Sequence, residues 1–186
     1  MSRVLETERL RLRPLTFADD AFILKLLNDP SFLMYIGDKE VRTLADARRY
    51  MADGPMASHL LHGFGLDCVE LKQTGEPAGL CGLLKRPALD DADVGYAFLP
   101  EFWSRGYARE AVRSVLEDAR QRLRLRQVAA VVDGRNVKSV RLLESLAFRF
   151  QRMVALHEGD DEVQLFLHRF DEPPARLSSL SLPPVS

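Results

Sequence analysis

The sequence predicts an α+β domain built on one mixed sheet, and three observations carry that reading. Apolar and polar residues alternate over Arg9–Pro14, and Phe64–Leu71 and Pro77–Leu84 are two strand-like runs joined by the turn Gln73-Thr74-Gly75-Glu76. Tyr107–Leu123 instead repeats Ala108, Ala111, Val112, Val115, Leu116, Ala119 and Leu123 at the i, i+3, i+4, i+7 spacing of a helix lying on a core. The run Gln127–Val132 that follows is β-branched and alanine-rich without interruption, as in a central strand buried on both faces. A strand, a helix and then a strand of this kind form a crossover, which places a parallel pair inside an otherwise antiparallel sheet.

The remaining elements follow in order. In Arg9–Pro14, Leu10 and Leu12 face one way and three arginines the other, until Pro14 stops the strand. Thr16 caps a helix with Asp19 three residues on, and Asn28-Asp29-Pro30 ends it. A second helix starts at Thr43, with Asp46 three residues on, and Gly54-Pro55 closes it. After the hairpin, Asp90-Asp91 marks a turn and Val94–Leu99 a third apolar strand, closed by Pro100. Asn136–Leu146 is a helix with Val137, Val140, Leu143 and Leu146 inward. Arg152–Leu156 and Val163–Phe170 are two last strands around the acidic turn Glu158-Gly159-Asp160-Asp161. The expected total is about seven strands and about four helices in one domain over residues 1–170.

Residues 171–186 read as a mobile tail, because four prolines and four serines among sixteen residues leave too little apolar surface to offset ordering entropy. Truncation after Phe170 is therefore expected to leave the melting temperature unchanged; a drop of many degrees on truncation refutes it.

Composition narrows the function. The chain has 186 residues, 46% hydrophobic and 28% charged, which suits a globular domain with its own core. Twenty-six Lys and Arg against 27 Asp and Glu give a net charge of -1, which argues against a dedicated nucleic-acid binder. Cys68 and Cys81 lack metal-ligand spacing and read as core thiols, so no metal is expected. His59 and His62 read as loop residues. No apolar run fits a leader or a membrane span, which makes the cytoplasm the expected compartment.

The chemistry concentrates after the third apolar strand. There a short loop holds Ser104, Arg105 and Gly106, and a helix opens at once with Tyr107, Ala108 and Arg109. A helix start offers unpaired N–H groups and a positive dipole end, glycine admits a phosphate close to the backbone, and the two arginines add charge. These are the parts of a diphosphate cradle; the alternative is an ordinary helix start. The spaced glycines of a dinucleotide fold and the Gly-Lys-Ser/Thr of a P-loop are absent.

Trp103-Ser104-Arg105-Gly106-Tyr107-Ala108 resembles the Gln/Arg-x-x-Gly-x-Gly/Ala acetyl-CoA loop of the GNAT superfamily of N-acetyltransferases. The segments beginning Leu5-Glu6-Thr7-Glu8-Arg9, Asp93-Val94-Gly95-Tyr96 and Asn136-Val137-Lys138-Ser139 resemble, in order, the branch that includes ribosomal-protein N-terminal acetyltransferases. The resemblance covers about Leu5 to Phe170. Trp103 replaces the Gln or Arg of the superfamily pattern, and Ala147 stands where Gly often precedes Phe148.

The resemblance implies a mostly antiparallel sheet whose fourth and fifth strands splay apart to admit acetyl-CoA. It implies that Ala97, Phe98 and Leu99 pair with the pantetheine arm, with an N–H near Leu99 over the thioester oxygen. Ser104 to Arg109 would hold the diphosphate, and Asn136 would bond the pantetheine or simply cap its helix. Ser139, three residues on, is the candidate proton donor to the leaving sulfur or else a plain first-turn serine. Many members use a Tyr after the fifth strand for this step, and no Tyr follows Tyr107 here. Asp93 and Glu158 are the candidate bases, with Glu70 a further carboxylate; the alternative for each is a turn or strand-end charge.

The leading reading is an acetyltransferase acting on a primary amine, a protein N-terminus or a small molecule, as a monomer or homodimer. A non-catalytic acyl-CoA-binding module and an RNA or ribosome-surface binder are the alternatives. The last rests on the arginines of the long helix, such as Arg113 and Arg120, which also fit a solvated helix face.

Overall fold

In the computed structural model of the chain, the described residues are 4–170, so the expected tail lies outside them. They form an eight-stranded sheet in the order β1-β2-β3-β4-β5-β6-β8-β7. The strands are β1 (Leu5–Glu6), β2 (Leu10–Pro14), β3 (Leu66–Leu71), β4 (Pro77–Leu84), β5 (Asp93–Phe98), β6 (Gln127–Val132), β7 (Arg149–Val154) and β8 (Val163–Arg169). Every neighbouring pair is antiparallel except β5–β6. That parallel pair comes from the crossover through the long helix, as the sequence predicts.

The helices are α1 (Asp20–Leu27), α2 (Pro30–Tyr35), α3 (Leu44–Met51), α4 (Ala57–His62), α5 (Tyr107–Gln121) and α6 (Val137–Ser145). Thr16 with Asp19 and Thr43 with Asp46 form the two expected capping boxes, each worth about 1 kcal/mol. Asp19 also receives two hydrogen bonds from Arg13, at 2.8 and 2.9 Å, which tie the first helix to β2. Helix α5 buries Ala111, Val112, Val115, Leu116 and Ala119, the stripe its periodicity marks, and packs across β2, β4 and β5.

Two local expectations are corrected, and one strand is added. Pro30 does not only end α1: Asp29 accepts the Ser31 N–H at 2.9 Å, Pro30 takes the first helical position, and α2 begins there. Gly54-Pro55 does not close α3, which continues through a π-helical turn over Ala52–Met56 into α4. The wider turn accommodates the proline ring, whose nitrogen has no hydrogen to give, and Pro55 is buried. Strand β1, paired Leu5↔Leu12, is too short to show a period.

Cys68 and Cys81 are fully buried, and burial pushes the Cys68 thiol up to about 12, which leaves it an inert core group. His59 and His62 lie on α4 rather than a loop; His59 meets Asp67 at 2.9 Å and His62 stacks on Phe64.

Candidate active site

Strands β5 and β6 pair at one register only, Asp93↔Ala129, with the Ala129 N–H on Ala92 O at 2.9 Å. Beyond that point they diverge, leaving a wedge closed at Asp93 and open toward the strands' C-terminal ends. Because the strands are parallel, both following helices, α5 and α6, start at the open end.

The loop into α5 is built for an anion. Ser104 (φ 60) and Gly106 (φ 80) are both left-handed, which turns successive N–H groups to one side. Gly106 caps α5 with no side chain, so the N–H groups of Tyr107, Ala108 and Arg109 are left for a ligand. The loop is braced from the far edge of the sheet. Arg9 donates to Arg105 O at 2.8 Å, lies 4.6 Å over the Tyr107 ring and pairs with Glu110 at 2.7 Å. Arg105 and Arg109 are exposed, with no ion pair among the described residues. Trp103 donates its indole N–H to Phe98 O at 2.7 Å and carries Lys138 of α6 over its ring, at 5.4 Å. The indole therefore fixes the strand end where the superfamily pattern has a polar side chain.

On the strand the available groups differ by one residue from expectation. The Leu99 N–H donates to Ala78 O at 3.0 Å, on the β4 side. Hydrogen-bonded and non-bonded positions alternate along an antiparallel pair, so the main chain of Tyr96 and Phe98 faces the wedge, and that of Ala97 and Leu99 faces β4. Phe98 keeps its place among the expected wedge residues, and Tyr96 joins it.

Asp93 and Tyr96 are three apart on one strand and so project to opposite faces. Asp93 is fully buried, with Oδ2 on Arg86 Nε at 2.9 Å and Oδ1 without a hydrogen-bond partner among the described residues. Burial raises its pKa above the ordinary carboxylate value, and Arg86 only partly opposes the shift. Arg86 also acts electrostatically on Tyr50 of α3 and on Lys39; Lys39 feels Asp160 of the β7–β8 hairpin, and burial together with Arg86 lowers its pKa. Arg86 thus links Asp93 to the loop after α2 and, through Lys39, to the last hairpin. Glu158 lies in that hairpin, exposed. Glu70 is ion-paired with Arg13 at 2.6 Å, two strands from the wedge.

On the other face, Tyr96 reaches α6. Its hydroxyl is 2.5 Å from Ser139 Oγ. Asn136 caps α6 by accepting the Ser139 N–H at 3.2 Å, which leaves its own amide as a donor. Asp133 accepts the Arg135 N–H at 2.9 Å and shapes the turn that presents both residues. Sequence reasoning missed Tyr96 and Arg86. The odd spacing from Asp93 was the available signal for Tyr96; nothing in the sequence marks Arg86.

A cleft of about 630 Å³ lined by His62, Phe64, Lys85, Ala92 and Gln127 lies at the closed end of the wedge; Ala92 is next to Asp93 in sequence, on the side away from Tyr96 and Ser139 along β5. Among the described residues, no group of three metal-ligating side chains is found, and no helix is long and apolar enough to cross a membrane.

The family model described as an acetyltransferase (GNAT) domain matches residues 9–149, which span the braced loop, the wedge and all of α6. The chain belongs to the GNAT acetyltransferases. It is similar to the YkkB protein of Bacillus subtilis (strain 168), 30% identical over 154 residues, covering 81% of this chain and 87% of that one. An acetyltransferase structure from Agrobacterium tumefaciens superposes with a TM-score of 0.78 at 24% identity, over 90% of this chain and 94% of that one. A ribosomal-protein-S5-alanine acetyltransferase structure from Vibrio fischeri has a TM-score of 0.75 at 17% identity, over 91% and 98%. These two likenesses are of fold. GNAT membership supports acetyl transfer and implies acetyl-CoA as the donor, and the wedge fits it: strand edges for an extended arm lead to a helix start for its phosphates.

Proposed function

We propose that this chain is an acetyl-CoA-dependent N-acetyltransferase that passes the acetyl group directly to a primary amine in a ternary complex. The amine belongs to a protein N-terminus or a small molecule. The observation that carries this is the wedge itself, with an anion cradle at its open end and a buried carboxylate and a hydroxyl pair on its two faces.

The N–H groups of Ser104 to Arg109 hold the diphosphate, with Arg105 and Arg109 beside it. Tyr96 and Phe98 pair with the pantetheine amides as an added strand does, and Asn136 donates its amide to the same arm. A main-chain N–H in the wedge, that of Tyr96 or Phe98, meets the carbonyl oxygen as it becomes negative. Asp93 takes the proton from the attacking amine, directly or through water, while the C–N bond forms. Ser139 gives a hydrogen bond or proton to sulfur as the C–S bond breaks. Glu158, exposed in the last hairpin, is the alternative base.

The test is a screen of amines and peptides that scores CoA release and product mass. An acetylated product made only with the chain present supports the reading. CoA binding without transfer to any acceptor supports the non-catalytic alternative, and salt-dependent RNA binding the other. With an acceptor in hand, Ser139→Ala is expected to lower kcat by about ten- to a hundredfold, since a weakly acidic hydroxyl falls at or below the low end of general-acid catalysis. Acetyl-CoA binding should stay intact. Wild-type turnover in a variant whose chemistry limits the rate removes Ser139 from the mechanism.

A further inference from the structure

We propose that Tyr96 is a positioning residue for the leaving group: its phenol donates to Ser139 Oγ and so commits the serine's own proton to the CoA sulfur. The inference rests on the reading of Ser139 as the sulfur's donor and adds the residue that aims it.

The geometry is specific. Tyr96 comes from β5 and Ser139 from the helix after β6, so their contact joins the two walls of the wedge. Among the described residues the phenol meets two acceptors, both of Ser139, Oγ at 2.5 Å and the backbone oxygen at 3.5 Å, and its one hydrogen goes to the much nearer Oγ. A first-turn serine with nothing on its oxygen turns its proton back onto a helix carbonyl three or four residues earlier. A phenol prevents that, because it is far more acidic than an alkyl hydroxyl and is the natural donor of the pair. Once the serine oxygen accepts, its hydrogen points elsewhere. The Ser139 backbone is held as well, by Asn136 Oδ1 on its N–H.

Acidity decides between relay and positioning. Burial pushes the Tyr96 phenol up to about 12, against ~8.5 for a thiol of ordinary acidity. Complete transfer of the phenol proton to the thiolate is thus strongly unfavourable. Tyr96 keeps its proton and supplies direction, and the sulfur regains its hydrogen from solvent after product leaves. The superfamily's usual tyrosine comes after the fifth strand; here a tyrosine from the preceding strand reaches a serine on that later helix.

The experiment uses the full chain and CoA itself, so it needs no acceptor. The thiol of bound CoA is titrated by its thiolate absorbance, as a difference against CoA-free protein, in wild type, Tyr96→Phe, Ser139→Ala and the double variant. Hydroxyl donation to sulfur favours the thiolate, so in wild type the bound thiol should titrate about one unit below free CoA. Tyr96→Phe should return it most of the way, with CoA affinity within about twofold and the melting temperature nearly unchanged. Ser139→Ala should do the same, and the double variant no more than either.

A Tyr96→Phe titration at the wild-type position overturns the inference, as do additive effects of the two changes. A fall in melting temperature or CoA affinity without a change in thiol titration also overturns it, since Tyr96 is then only a strut between the walls. Failure of the underlying reading looks different: wild type does not bind CoA, or Ser139→Ala leaves the titration unmoved. Either result overturns the inference with it.

Discussion

Gly106→Glu is expected to weaken CoA binding about a hundredfold or more, read by calorimetric titration. Two effects act together at this position. The backbone there is left-handed, φ 80, and a side chain pays about 1–2 kcal/mol for that conformation. A Cβ also comes within 3.2 Å of Arg9 Nη2, the guanidinium that braces the loop. The carboxylate then faces the diphosphate. Two like charges about 5 Å apart at an effective dielectric near 20 repel by about 3 kcal/mol, which alone exceeds a hundredfold. Gly106→Asn separates the terms, because asparagine tolerates the left-handed region and brings no charge. It should retain binding within about tenfold. If the glutamate variant binds CoA as wild type does, the diphosphate lies elsewhere and the reading of this loop fails. If asparagine and glutamate weaken binding equally, backbone shape rather than charge governs the cradle.

The same loop shows what was legible beforehand. A glycine between two arginines at a helix start is a local pattern, and the structure gives it the left-handed backbone and uncapped N–H groups that the pattern implies. Pro77–Leu84 and Gln127–Val132 were equally local, one a hairpin arm and the other a continuous apolar run, and both strands have those bounds. What could not be read depends on partners far along the chain. Arg9 looked like one of three arginines on the solvent side of a strand, yet its guanidinium braces Arg105 and Glu110 about a hundred residues away. Which edge of β5 faces the wedge is set by its bonds to β4, and that one-residue choice moved the available N–H from Leu99 to Phe98 or Tyr96. The partnership of Tyr96 with Ser139 needs the crossover to bring α6 back over the sheet. Proline was the other weak point, because the same residue ends a helix, starts one or sits in a π-helical turn, and only the packing of α2 through α4 decides which.

Asp93→Asn should remove most of the turnover, about a hundredfold or more if Asp93 takes the amine proton, without lowering the melting temperature at neutral pH. The stability half follows from the direction of the pKa shift. Burial raises the folded-state pKa of Asp93, so its stabilising contribution is complete below the unfolded value and is lost as pH rises through the folded one. Once ionised, the buried side chain is a net cost that Arg86 only partly offsets, and asparagine removes it. Arg86 is about a third exposed, so losing its partner leaves water to solvate it. The activity half has its own signature. In wild type, kcat/KM should rise with pH through an acid limb lying above the ordinary carboxylate range. Arg86→Gln should move that limb to higher pH, because the arginine is the charge that opposes burial. A limb set by the acceptor amine's own ionisation stays where it is in the Arg86 variant, which tells the two apart. If Asp93→Asn keeps wild-type turnover under conditions where chemistry limits the rate, Asp93 is not the base, and Glu158 in the last hairpin or a water takes its place.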